Sequence, residues 1–428
     1  MSLDTPPAAP APRGGGVFHG WKIVGLSLLT QALQAGLLIY AFGTLAVEIE
    51  AEFGVSRAQV MLAATVLSLS SNLLSPLFGN LVDRASLRTL MLWAVAALGI
   101  GLVVLSRARS IWHVWIVFGT LLPVGNLMLG QLSTSALITR WFARLRGRAL
   151  GIASVGTSLG GFTFPVLMTY LIERYDWRTA LLLIGIVSIV VTAPLVRWLV
   201  VDRPADLGLN EDGAAAPPPP VPEPAPGQTA TRAILGHLPF WCETVVMGIA
   251  LFVYLGFLSN LFPHAVSLGI EPTAAAGLMS LVAVFSVAGK LGFGAVADRV
   301  DLRLTMGTSF ALMIVGSLML SQLASYAGIA GGAVLFGLAA GGLLPVWGAM
   351  VARSFGQARF GRALGMMNLA MAPITLLSAP YAGYLYDRLG DYEVAFASYC
   401  GFLLLAGGAL TLLRFPGEGA AARRREEG

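Results

Sequence analysis

The sequence predicts an all-α integral membrane protein, with twelve transmembrane helices arranged as two pseudo-symmetric six-helix bundles. Three observations carry the prediction: the composition, the number of lipid-length apolar segments, and an internal repeat. Apolar residues make up 56% of the chain and charged ones 11%, against roughly 25% charged in a soluble domain. Mean hydropathy is +0.77. A soluble fold of 428 residues could not hide that much apolar surface, so the solvent is lipid.

A spanning helix needs about 20 mostly apolar residues. Segments of that kind run near 21–45, 58–81, 89–106, 111–138, 148–172, 179–200, 238–262, 273–297, 304–325, 327–352, 362–386 and 394–413. Residues 1–17 are rich in Pro, Ala and Gly and lack the pattern of a signal peptide, so a disordered cytoplasmic tail is expected there. The first half covers 18–200 and the second 237–414. Between them, 201–236 form a proline-rich cytoplasmic linker incompatible with lipid. Residues 415–428 form a basic cytoplasmic tail suited to anionic lipid.

Orientation follows from the lysines and arginines. With both termini inside, 20 of them fall on the cytoplasmic side and 6 outside, with Lys290 left within a span. The net charge of +5 is therefore topology, not a nucleic-acid footprint. The two cysteines, Cys242 and Cys400, lie far apart in apolar segments and have no metal-ligand spacing. No cofactor, metal or enzymatic site is expected, since no nucleophile–base pair or phosphate-cradling glycine loop is present.

The halves repeat. FGNLVDRASLR at 78–88 matches FGAVADRVDLR at 293–303 with a shift of 215, and GRALG at 147–151 recurs at 361–365. Duplication of this kind places a substrate site between the halves. Twelve spans, the six-plus-six repeat and G-x-x-x-D-R-x-x-x-R after the second and eighth segments resemble the major facilitator superfamily. Gly79, Asp83, Arg84 and Arg88, with Gly294, Asp298, Arg299 and Arg303, fill that motif. The resemblance implies a gating role on the cytoplasmic side, where a carboxylate can meet a neighbouring helix N-terminus. It also implies a monomer.

A narrower resemblance lies in RWFARLRGRALGIASVG at 140–156. It is similar to the monocarboxylate-transporter signature, with Trp141, Phe142, Arg144, Arg146, Gly151 and Gly156 in its places. FHGW, YAFG, the linker start DRPADLGLNEDG and PHAVSLGI are similar to the bacterial oxalate/formate-antiporter-like group. A chain rich in Ala, Arg and Gly with two lysines fits a bacterial inner membrane.

Lys290 sits eight residues before Asp298, about 12 Å along a helix, too far for its stem to snorkel comfortably. A lysine at mid-depth costs at least ~2.5–3.5 kcal/mol. No acid is evident at similar depth, Glu243 near the start of the seventh segment being the least clear case. An unpaired buried cation invites an anionic substrate, and the resemblance implies that a cation at this place holds the substrate carboxylate. Ser286, one turn away, stands where relatives carry Asp, and Gly43-Thr44 stand where they carry Lys, which leaves proton coupling open between Lys290, the substrate, His264 or none.

Other polar or aromatic residues at similar depth are Gln34, Tyr40, Asn126, Tyr254, Trp347 and Asn368; they are candidates for substrate contact or interhelical hydrogen-bond glue. Phe285, Met367 and Met371 are candidates for an apolar pocket. The helix-five run VGTSLGGFTFP reads as tight packing, and His264 as a residue of an external loop. The expected function is secondary transport of small monocarboxylates such as lactate or pyruvate by alternating access, with the lipid bilayer and a small organic anion as partners. A lipophilic-compound exporter and a non-transporting sensor are the alternatives.

Overall fold

In the computed structural model, residues 18–214, 231–390 and 392–415 are described. The tail over 1–17, the centre of the linker and the basic residues after Phe415 lie outside them. Twelve helices are long and apolar enough to cross a bilayer. They are α1 His19–Phe53, α2 Ala58–Arg84, α3 Leu87–Leu105, α4 Ile111–Trp141, α5 Arg146–Arg174, α6 Trp177–Leu199, α7 Leu238–Ser267, α8 Pro272–Ala297, α9 Leu302–Gln322, α10 Tyr326–Phe355, α11 Gln357–Leu389 and α12 Glu393–Thr411.

Local chemistry sets the ends. Ser56 and Gln59 form a capping box before α2, and the Asp176 carboxylate accepts from the first amides of α6. Gly54, at φ 61°, closes α1 in the left-handed conformation. Several spans are broken. α1 takes a π-turn over Gly36–Tyr40, α4 breaks at Gly130, and α11 kinks at Leu377 beyond Pro373. Such interruptions are tolerated where neighbouring helices cover the freed backbone. α7 runs on past Pro263 to Ser267, five residues beyond the expected end. His264 is consequently helical and buried, its ring nitrogen 3.0 Å from Leu320 O, and not the loop histidine that Pro263 suggests.

Each half is a six-helix bundle. α1 packs on α5, α2 on α4 and α3 on α6, while α8 packs on α10, α9 on α12 and α7 on α11. The halves meet mainly where α2 crosses α11 and α5 crosses α8. Large apolar side chains such as Trp93, Trp198 and Leu404 face outward, as a surface in contact with lipid requires.

The linker does not leave the protein at once. Trp141 Nε1 donates to Val201 O at 2.8 Å, and Arg88 Nε to Val200 O. Asp212 accepts from the amides of Ala143, Arg144 and Leu145. Residues 201–214 are thus folded against the signature loop.

Candidate functional site

Both helix crossings between the halves are built from glycine. A Cβ on Gly79 of α2 would lie 2.2 Å from Gly361 O, and one on Gly365 would lie 2.3 Å from Ser75 O. At the other crossing a Cβ on Gly147 would lie 2.4 Å from Gly294 O, and one on Gly151 would lie 2.3 Å from Lys290 O. Only glycine permits such approach. Each crossing ends in a carboxylate. Asp83 accepts from Gly361 N and Arg362 N at 2.8 and 2.9 Å. Asp298 accepts from Gly147 N and Arg148 N at 2.5 and 3.0 Å. Each duplicated D-R motif therefore caps the duplicated G-R-A-L-G helix start of the opposite half, a cap supplied in trans. Burial pushes the half-buried Asp298 above the usual carboxylate range, against the lowering pull of the two amides.

The arginines of the motif divide. Arg88 Nε and Arg303 Nη1 tie the chain after each half's last helix, at Val200 O and Leu413 O. Arg362 donates to Asn80 across the first crossing. Arg84 borders a hollow of about 420 Å³ beside that crossing. Arg299 is exposed. In the signature, Trp141 and Phe142 are fully buried against Phe18. Arg146 Nε donates to Phe142 O, Arg144 lends Asp212 its amide, and Gly156 brings α5 onto the backbone of α1 at Leu28.

On the side of the crossings away from the carboxylates lies a cavity of about 400 Å³ between the halves. α1 contributes Tyr40, α5 Thr157, Ser158 and Phe162, α7 Leu251 and Tyr254, α8 Met279, Val282, Ser286 and Lys290, and α10 Leu343 and Leu344. The π-turn of α1 ends at Tyr40, which is 44% exposed.

Lys290 forms the polar end of this cavity. It is 7% exposed, and its Nζ donates to Thr157 Oγ1 at 2.7 Å and Ser158 Oγ at 2.6 Å. The ammonium thus reaches from the second half into the first, which excludes snorkelling. Its backbone is gripped on the other side by α10, where Gly341 would set a Cβ 2.9 Å from Lys290 N. Two hydroxyls take two of its three protons, and among the described residues no carboxylate pairs with it. Its third N–H has no partner among the described residues.

Ser286 and Tyr254 join Lys290 in the lining, as does Tyr40. The other candidates lie elsewhere. Gln34 donates to Asn126 at 2.5 Å and Asn126 to Ser71 at 2.9 Å, a chain linking α1, α4 and α2. Asn368 donates to Ser75 at 3.3 Å across the first crossing. Trp347 is buried with its indole N–H unpaired. Phe285, Met367 and Met371 do not line the cavity, whose apolar wall includes Phe162, Leu251, Met279, Leu343 and Leu344. Thr157 and Ser158 were legible only as packing, yet they are the hydroxyls on Lys290. Glu243 lies near the start of α7, as expected, and is fully buried there.

A two-bundle, twelve-span membrane protein with its cavity between the halves is a transporter by architecture. The Major Facilitator Superfamily profile matches residues 28–301 and again 262–428, and the chain belongs to that superfamily. Rat monocarboxylate transporter 13 is 29% identical over 411 residues, covering 94% of this chain and 90% of the relative. Rat monocarboxylate transporter 12 is 27% identical, covering 95% and 87%. The fold is similar to a bacterial homologue of the iron transporter ferroportin in an outward-facing state, with TM-score 0.68, 17% identity and coverage of 92% and 99%. These sequence relatives are vertebrate and give no support to the bacterial source read from composition.

Proposed function

We propose that the protein carries small monocarboxylates, lactate-like or pyruvate-like, across the membrane by alternating access, with Lys290 holding the carboxylate. One observation carries the reading: a buried ammonium without an acid partner faces a cavity between the halves, its two satisfied protons held by the opposite half. A lone ammonium matches one carboxylate, and the apolar wall matches a short side chain. The names of the two rat relatives support the same substrate class.

The moving units are 18–200 and 237–414, joined by 201–236 and working as a monomer. The excess of cytoplasmic arginines supports termini inside, so the carboxylate clamps shut the cytoplasmic end and the cavity is open outward. Buried Glu243 removes one objection to an exporter of lipophilic compounds, but the fixed cation in the cavity favours an anion.

The test is uptake of radiolabelled lactate and pyruvate into liposomes by the wild type and Lys290→Ala. Saturable uptake lost in the variant supports the reading. Equal uptake by both, or none by the wild type, overturns it.

A further inference from the structure

The hollow beside the first crossing lies apart from the transport site and has a chemistry of its own. It measures about 420 Å³ and is shared by both halves and the chain that joins them. α2 contributes Leu77, Asn80 and Arg84, α11 contributes Arg362 and Met366, and Thr231 comes from the end of the linker. α2 runs towards the clamped end and α11 away from it, so the lining is graded. Arg84 lies nearest that end, Asn80 and Arg362 pair about one turn in, and Leu77 and Met366 follow about a turn deeper.

Two guanidiniums from opposite halves thus share one hollow. Among the described residues neither has a carboxylate within ion-pair distance. Asp83, the acid of this crossing, is spent on the amides of Gly361 and Arg362. Arg362 is 8% exposed, and Asn80 takes only part of its donor set. Like charges facing one hollow repel unless an anion lies between them, and the planar guanidinium fork fits phosphate oxygens. Beyond the arginines the wall turns apolar. Leu69, Leu73 and Leu77 recur at helical spacing on one face of α2, all exposed, and none of them lines the central cavity. A free phosphate would leave that stripe bare. A phospholipid covers both parts, its phosphate between the arginines and an acyl chain along the leucines, as acidic headgroups occupy basic pockets between membrane helices.

We propose that the hollow binds one anionic phospholipid from the leaflet at the clamped end, its phosphate held jointly by Arg84 and Arg362. Because the two arginines belong to different halves, the lipid binds the clamped state and not the parted one, and so favours the clamp by mass action. The repeat supplies a control. Arg299 stands in the place of Arg84 and Arg148 in that of Arg362, but Ala295 and Gly292 replace Asn80 and Leu77. The second crossing therefore keeps the charges without the asparagine and the leucine. The proposal goes beyond the substrate reading and does not depend on it.

Native mass spectrometry of the purified protein in a neutral detergent reads lipid binding directly, with phosphatidylglycerol and phosphatidylcholine as probes. The wild type should prefer phosphatidylglycerol. Arg84 is exposed, so Arg84→Gln leaves the packing intact. Each arginine near a lipid phosphate is worth ~1 kcal/mol, so Arg84→Gln should lose about fivefold in affinity for phosphatidylglycerol, and the double variant with Arg362→Gln roughly 30-fold. Arg299→Gln makes the same charge change at the second crossing and should lose none. No loss in Arg84→Gln, or an equal loss in Arg299→Gln, overturns the proposal. Displacement of the lipid by an equal concentration of inorganic phosphate also overturns it, making the ligand a free anion.

A second measurement reads the state of the clamp. Thiol labelling of a cysteine at Ser354 should slow about fivefold when phosphatidylglycerol is present at ~4 times its dissociation constant, and Arg84→Gln should abolish the slowing at that concentration of lipid. Labelling of the wild type that ignores the lipid overturns its link to the clamp. Neither measurement uses a transported substrate, so should the wild type carry neither lactate nor pyruvate, the substrate reading fails alone and both lipid results still stand.

Discussion

Replacing Asp83 and Asp298 by alanine, singly and together, unlocks the clamps without touching the cavity. Each carboxylate caps two backbone amides of a helix that begins in the opposite half. Loss of a helix cap costs ~0.5–2 kcal/mol, and here the loss falls only on the clamped state, because parted halves return the amides to water. One substitution should therefore shift the clamped-to-open ratio by roughly 2- to 30-fold. The two caps lie at separate crossings with no shared partner, so their effects should add. Single cysteines placed at Ser354 and Arg148 report opening of that end through their rate of thiol labelling. Rates should rise in each variant and multiply in the double one. Unchanged labelling in the double variant would refute the in-trans cap.

The same clamp gives a pH dependence. Burial holds Asp298 above its ordinary value in the clamped state, and opening returns it towards that value. The sign follows: closing takes up a proton, so this contribution to the clamp is fully present below the ordinary carboxylate value and is lost as pH rises through the raised one. Labelling should increase with pH across that window in the wild type, and Asp298→Ala should flatten the profile.

The remaining predictions concern the walls of the site and the linker. Gly151→Val places a branched side chain where a Cβ alone would lie 2.3 Å from Lys290 O, so it should hold the halves apart and raise thiol labelling at the clamped end even with both aspartates intact. Thr157→Val with Ser158→Ala strips Lys290 of two hydrogen bonds to a charged group, worth ~1.5–3 kcal/mol each; KM for lactate should rise about tenfold or more, and an unchanged KM would remove the two hydroxyls from the account. Asp212→Ala leaves the amides of 143–145 without their acceptor, and hydrogen exchange there and over 201–214 should speed up while the α5–α8 crossing keeps its protection.

The spans were legible because lipid imposes one length and one polarity on every crossing segment, and the clamp because both copies of the repeat keep a carboxylate that topology does not need. Lys290 was legible as a charge that no membrane segment carries idly. Its partners were not. Thr157 and Ser158 sit in a run of small residues whose glycines do pack against α1, and a hydroxyl in such a run looks the same whether it bonds its own backbone or a lysine. The shift of 215 held a clue, since it pairs Lys290 with Ser75, so that the second crossing differs from the first at the position where the cavity meets it. Gln34 and Asn126 show the reverse case, polar residues at cavity depth spent on each other. His264 was misplaced because a proline marks where a pattern ends in sequence, whereas burial depends on which helices lie alongside.

The central claim is that Lys290 recognises a carboxylate, and binding to the purified protein tests it without any need for transport. Titration calorimetry with lactate and with its neutral amide, for the wild type and for Lys290→Ala, isolates the charge. A buried charge pair broken on one side costs ~2–5 kcal/mol, so the wild type should prefer lactate over the amide by roughly 30-fold or more, and the variant should show no preference. Equal affinity for both ligands in the wild type, or an undiminished preference in Lys290→Ala, would contradict the account.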